Sequence, residues 1–236
     1  MDRAGTEPLP NEKFVVGSFL THLAPSDRDY LVGMGARRVL PAGVVLFHEG
    51  DPTDHVLIVL SGWVRVYVTS PQGHVTLLAL RGPGEILGDA EAVNSGWARV
   101  ATAETLQEVA YAQLSRDTFT ACLARRPAIA VALLKNAYSH ERESALARLH
   151  FASFDVPQRV AAFLVRIADM HGRSGPTGVT MDMPLTQQDV ADFIGASRRT
   201  VARALASLRD RRIISTGRSR ITINQLEVLR FFAETA

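Results

Sequence analysis

The stretch from Pro184 to Ile214, PLTQQDVADFIGASRRTVARALASLRDRRII, constrains the chain more than any other. Thr186 predicts a helix start, because its hydroxyl can accept from one of the amides that a helix leaves without an intrahelical partner. Val190, Phe193 and Ile194 follow at helical spacing. Gly195 ends that helix where a positive φ costs little, and Ser197 caps the next. Val201, Ala204, Leu205 and Leu208 give the second helix an inner face, while Arg198, Arg199 and Arg203 occupy the first turns of its other face. A short helix, a glycine turn and a second helix with an arginine-rich N-terminal half form the helix-turn-helix pattern, whose second helix enters the major groove of DNA. Helix pairs about a glycine also occur in all-α domains, so the pattern needs support from its surroundings.

The residues that follow supply it. Ile213-Ile214, then Ser215-Thr216-Gly217-Arg218-Ser219-Arg220, then Ile221-Thr222-Ile223 read as strand, polar turn and strand, a β-hairpin wing. Arg218 and Arg220 at its tip suit phosphate contacts. Charge is distributed to match. Up to Asp155 there are 14 Lys and Arg against 17 Asp and Glu, a net of −3; from Val156 onward there are 12 against 7, a net of +5. Positive potential therefore concentrates where the helix-turn-helix lies.

At 236 residues and 47% hydrophobic content, the chain has room for one or two domains. No apolar run approaches the ~18 residues of a membrane span, and the N-terminal MDRAGTEPLPNEK lacks the apolar segment of a signal peptide. A cytoplasmic location without membrane attachment is expected. The single cysteine, Cys122, excludes an internal disulfide and an iron–sulfur cluster held within one chain, and its apolar setting predicts a small core residue.

Before the helix-turn-helix the texture changes twice. Residues 1–13 are polar, and Phe14–Leu23 and Ser26–Met34 predict short helices, the second capped by Ser26. From Arg38 onward β-branched runs appear at 38–40, 44–48, 56–60, 63–69, 75–80 and 100–114, punctuated by Gly and Pro. Many short strands with such punctuation predict an antiparallel barrel or jelly roll. After Ser115 the period becomes helical: one short helix at 117–125, then a long one from Pro127 to about Phe151. Leu133, Ala137, His140, Ser144, Ala147 and Phe151 follow a 4-3-4-3-4 spacing along it, either a dimer seam or a face packed on the chain's own barrel. Residues 153–157 read as a hinge, 160–170 as an amphipathic helix and 171–176 as a loop.

This order resembles that of the bacterial catabolite-activator/fumarate–nitrate regulator (CRP/FNR) family of transcription factors. The carrying residues are Leu185–Ala191, Ile194–Arg198 and Thr200–Arg203 in the DNA-reading part, and Glu49-Gly50, Leu60–Gly62 and Pro83–Asp89 in the sensor part. The resemblance implies an α+β fold: an N-terminal cyclic-nucleotide-binding-type β-roll with a long dimerisation helix (residues 1–152, the helix at about 127–151), then a winged helix-turn-helix (156–236). It implies a homodimer on double-stranded DNA, with RNA polymerase as a further partner. Arg198 and Arg203 look like the pair that bond guanine edges, since arginine reaches O6 and N7 together. Thr186, Gln188, Ser197 and Thr200 look like phosphate contacts. At Arg199 the catabolite-activator branch usually carries a glutamate that accepts from cytosine; arginine cannot accept, so a different base preference is expected there.

The sensor pocket departs further. Cyclic-nucleotide binders of this family hold the ribose with a Gly-Glu pair and the phosphate with a later Arg-Ser pair. Gly88-Asp89 stands for the first. For the second, alignment through the following strand selects Trp97-Ala98, whereas counting from Gly88 selects Arg99-Val100; the serine is absent either way. Ser144 matches one of two adenine-contacting positions, and Ala145 replaces the other. A buried phosphate without its arginine would be an unpaired charge. A different small-molecule effector, or a degenerate sensor with none, is therefore expected over cyclic AMP, which remains the alternative. No His-x-His pair supports a cupin-type metal site, and no phosphate loop, nucleophile elbow or paired-carboxylate setting supports an enzyme. Glu85, Asp89 and Glu91 read as a solvated or ligand-facing rim.

Overall fold

The β-branched runs form two four-stranded antiparallel sheets. The computed structural model describes residues 14–52, 55–94, 96–217 and 219–235. One sheet has the order β1 (Ala36–Leu40), β8 (Val109–Ser115), β3 (His55–Ser61), β6 (Ile86–Leu87); the other runs β2 (Val45–Phe47), β7 (Thr102–Thr105), β4 (Val64–Thr69), β5 (Val75–Arg81). Strand β3 explains its own unbroken apolar run. Leu57 and Val59 join Phe47, Val64, Leu87, Ala103, Val109 and Tyr111 in one core. Val56 and Ile58, pointing the other way, join Phe19, Leu20, Leu31, Phe119, Cys122 and Ile129 in a second. That second core is roofed by α1 (Pro25–Gly33), α3 (Arg116–Arg125) and the start of α4 (Pro127–Ser153). Cys122 is buried there as a small apolar residue.

Several boundaries differ from the sequence reading. Residues 100–114 are two strands, because the chain turns at residues 106–108 under Gly62. Gly62 has φ 83°, and a Cβ on it would stand 2.2 Å from the Glu108 carbonyl oxygen. Phe14–Leu23 contains only a 3-10 turn, Phe19–His22. Ser26 is not a cap: α1 starts one residue earlier, at Pro25, whose missing N–H costs nothing in the first turn. The segment at 89–93 is a short helix, α2 (Asp89–Val93).

The chain divides into two compact units, one running up to Val66 and again over Leu80–His140, the other comprising Tyr67–Ala79 and the chain from Glu141 onward. In the second, α5 (Val156–His171) begins on a capping box in which Asp155 accepts from the Gln158 amide at 2.9 Å while the Gln158 side chain accepts from the Asp155 amide at 2.8 Å. A sheet of order β11 (Ile214–Gly217), β12 (Arg220–Ile223), β10 (Gly178–Asp182), β9 (Arg173–Gly175) follows, so residues 171–176, read as a loop, contribute an edge strand. Helices α6 (Gln187–Ile194), α7 (Arg198–Asp210) and α8 (Leu226–Thr235) complete the unit. Among the described residues no helix is long and apolar enough to cross a membrane.

The 4-3-4-3-4 stripe of the long helix splits. Leu133 packs on the second core, and His140 places Nε2 3.5 Å from Glu85 Oε2. Phe151, the last member of the stripe, is partly exposed, and the other exposed apolar side chains lie off it: Val131, Leu134, Tyr138, Leu146 and Leu149.

Candidate nucleic-acid interface and sensor pocket

The helix-turn-helix is built by its caps. Thr186 and Asp189 form a capping box: Thr186 Oγ1 accepts from the Asp189 amide at 3.1 Å and donates to Asp189 Oδ2 at 2.6 Å. Its hydroxyl is thus committed to ordering α6 rather than held free. Gly195 takes φ 62°, ψ 47° at the C-cap, and Arg159 Nη1 donates to the carbonyl of Ile194 at 2.8 Å, satisfying an orphan acceptor of that helix end. Ser197 caps α7 by accepting from the Thr200 amide at 3.2 Å, and the two hydroxyls share a 2.9 Å hydrogen bond. Two hydroxyls sharing one bond leave one proton to donate outward. Val201, Ala204, Leu205 and Leu208 are buried, whereas Arg198, Arg199 and Arg203 are exposed on the outer face near the start of α7. Gln188 is exposed on α6, its amide bonded to Asp192 at 2.7 Å.

The wing is longer in strand than the sequence suggested, pairing from Ile214↔Ile223 to Gly217↔Arg220. Arg220 is not free: its Nε donates to Asp182 Oδ1 at 2.6 Å, and Arg173 holds Asp182 Oδ2. Those guanidiniums, Arg220 first, keep the Asp182 carboxyl below the usual carboxylate range. Arg218 lies outside the described residues. Neither Asp182 nor Arg173 was picked out from the sequence, because their meeting depends on the β10–β12 register Asp182↔Arg220.

In the first unit, the two readings of the Arg-Ser pair differ in backbone pairing and burial. The Gly50 amide donates to the Arg99 carbonyl at 2.8 Å and the Arg99 amide to the Asp51 carbonyl at 3.0 Å. That pairing turns the Arg99 side chain inward, where it is fully buried; Trp97 is 56% exposed and Ala98 is exposed too. Of the two readings, Arg99 is the buried one, while Trp97 and Ala98 stand at the surface.

The Arg99 guanidinium packs over the Phe47 ring, 4.3 Å from its centroid, and donates from Nη2 to the His55 carbonyl at 2.5 Å. Gly88, at φ 77°, makes this approach possible, since a Cβ there would stand 1.9 Å from Arg99 Nη1. Glu91 completes the shell. Its Oε2 lies 3.3 Å from Arg99 Nη1, and its Oε1 accepts from the Val100 amide at 3.3 Å. Burial lowers the Arg99 pKa, opposed chiefly by Glu91 and then by Asp89 and Asp51. Asp89, half-buried beside it, has its carboxyl pushed up by burial, against its own backbone amide, His140 and Arg81. Glu91 is no rim residue: it is 7% exposed, as Glu85 is 2%. Ser144 is exposed on the part of α4 that groups with the second unit.

A sandwich of antiparallel sheets with a buried arginine beside a glycine turn is followed along the chain by a capped helix-turn-helix and wing, the architecture of a two-domain DNA-binding protein. Residues 37–126 match the cyclic nucleotide-binding domain model, and residues 158–232 the Crp-like helix-turn-helix domain model. The CRP-like cAMP-activated global transcriptional regulator of Mycobacterium tuberculosis is 35% identical over 173 residues, covering 72% of this chain and 76% of that protein. The cyclic AMP receptor protein of Thermus thermophilus is 30% identical over 219 residues, 92% of this chain and 97% of that one. The structure of FixK2 from Bradyrhizobium japonicum shares the fold, with a TM-score of 0.76 at 22% identity over 86% of this chain and 98% of that one. The chain belongs to the CRP/FNR family and is a DNA-binding transcription regulator.

Proposed function

We propose that the protein acts in the cytoplasm as a homodimer that reads a pseudo-palindromic operator and works with RNA polymerase. The observation that carries this reading is the outer face of α7. Arg198, Arg199 and Arg203 stand exposed there while the opposite face is buried. Arg198 and Arg203 read guanine edges, and Arg199 reads a base position of its own. Gln188, the Ser197–Thr200 hydroxyl pair, Arg218 and Arg220 contact phosphates and set register. Thr186 contributes by holding the start of α6, whose amides face the backbone. Residues 1–152 form the sensor and dimer part, and 156–236 the DNA-binding part.

Dimerisation is supported by the unpartnered stripe on α4, in which Val131, Leu134, Tyr138 and Ala145 follow heptad spacing. Two copies paired along it would present two recognition helices about one DNA turn (~34 Å) apart. The sensor is a pocket of the cyclic-nucleotide type around Gly88, Asp89 and Arg99, with its effector coupled to DNA binding by a population shift. The relatives from Mycobacterium and Thermus are named for cyclic AMP; here a carboxylate already faces the arginine.

Sedimentation of the full-length protein alone and with a DNA duplex recovered by binding-site selection tests the reading. Two chains per duplex, and a dimer without DNA, are expected. One chain per duplex would overturn it.

A further inference from the structure

We infer that Glu91 is a built-in counter-anion that closes the Arg99 site to phosphodiesters. The inference rests on the reading of Gly88–Arg99 as the effector pocket and adds what sets its charge selectivity. The guanidinium is fully buried, and an anion that reached Nη1 would land where Glu91 Oε2 stands, 3.3 Å away. The carboxylate is held there independently, by the Val100 amide on its other oxygen.

A cyclic phosphate entering this shell would put a further anion on one cation in a dry site, where like charges repel far more than in water. It must therefore displace Glu91 and strip it from the Val100 amide. Removal of the Glu91 charge leaves the opposite situation: a buried guanidinium with no full counter-charge on Nη1 and, among the described residues, an Nε that has no hydrogen-bond partner. Such a site gains most from an incoming anion. Glu91 thus determines whether Arg99 serves the chain's own carboxylate or a ligand's phosphate.

The test is calorimetric titration of the full-length, extensively dialysed protein with cyclic AMP, cyclic GMP and inorganic phosphate. Wild type is compared with E91Q, E91D and the double variant E91Q/R99Q. The expected result is no saturable heat for wild type, saturable cyclic-nucleotide binding at least about tenfold tighter for E91Q, a smaller gain for E91D, and loss of the gain in E91Q/R99Q. If E91Q folds only in phosphate buffer, that anion dependence supports the inference. If it does not fold at all, E91D decides by the same gain or its absence. Equal binding by wild type, E91Q and E91D, abolished in E91Q/R99Q, would overturn the role of Glu91 while leaving the pocket reading intact. No cyclic-nucleotide binding by any variant would overturn both.

Discussion

Phe151, near the end of α4, stands where a side chain on Gly195 would have to go: a Cβ built on that glycine lies 2.7 Å from Phe151 Cε1. The turn of the helix-turn-helix is thus held by its φ of 62° and by an aromatic ring laid against it. Arg159 stacks on the same ring, 5.3 Å from its centroid, and caps α6 through Ile194.

Gly195→Ala should therefore cost about 1–2 kcal/mol from the left-handed backbone alone, with the Phe151 contact adding to it. Denaturant unfolding measures the loss, and weaker DNA binding should accompany it. Unchanged stability would contradict the geometry of the turn.

The proposed phosphate role of Arg220 sets Asp182 in competition with DNA for that guanidinium. Asp182→Asn should release that arginine and Arg173, raise DNA affinity and steepen the log–log salt dependence by about 0.9 for each additional phosphate neutralised. Because its folded pKa is depressed, Asp182 adds stability that is present above the ordinary aspartate value near ~3.9 and lost as pH falls through its lower folded value. The variant should flatten that acid limb. A salt slope identical to wild type would contradict the competition.

Asp89 carries the opposite sign. Its folded pKa is raised, mainly by burial, so the stability linked to its protonated form is present below ~3.9 and is lost as pH rises through the raised value. Asp89→Asn should raise the unfolding midpoint at pH 7, with the gain over wild type shrinking toward pH 3.5. A variant no more stable at pH 7 would contradict the assignment.

In its proposed phosphate role Arg220 carries no base information, and Arg220→Ala removes that cation. Its affinity loss should be nearly equal across duplex sequences and should shallow the salt slope. A loss confined to particular sequences would contradict a phosphate role.

What the sequence made legible was local. Thr186, Gly195 and Ser197 announce the ends of α6 and α7, because caps and a left-handed glycine act within a few residues. The alternating Leu57 and Val59 against Val56 and Ile58 are equally readable, although an apolar run leaves open that both faces are covered. What stayed hidden is set across the chain. Arg99 is buried and Trp97 exposed where the chain pairs residues 50 and 51 with Arg99, a long-range contact that no local pattern announces. Glu91 on α2 meets Arg99 from the segment that follows the helix, and Asp182 meets Arg220 through strand register. On α4, more than one stripe satisfied a 4-3 spacing; which one packs inward was decided by the sheet beneath it, through Leu133 and through His140 beside Glu85.

The central claim is that α7 reads base sequence through its exposed arginines, and binding-site selection with wild type and Arg203→Ala addresses it most directly. Wild type should enrich a two-fold-symmetric site with guanine at the positions read by Arg203. The variant should lose preference at that one position in each half-site, about 1–3 kcal/mol of discrimination, and keep it elsewhere. An unchanged selected sequence, or no enrichment by wild type, would contradict the account.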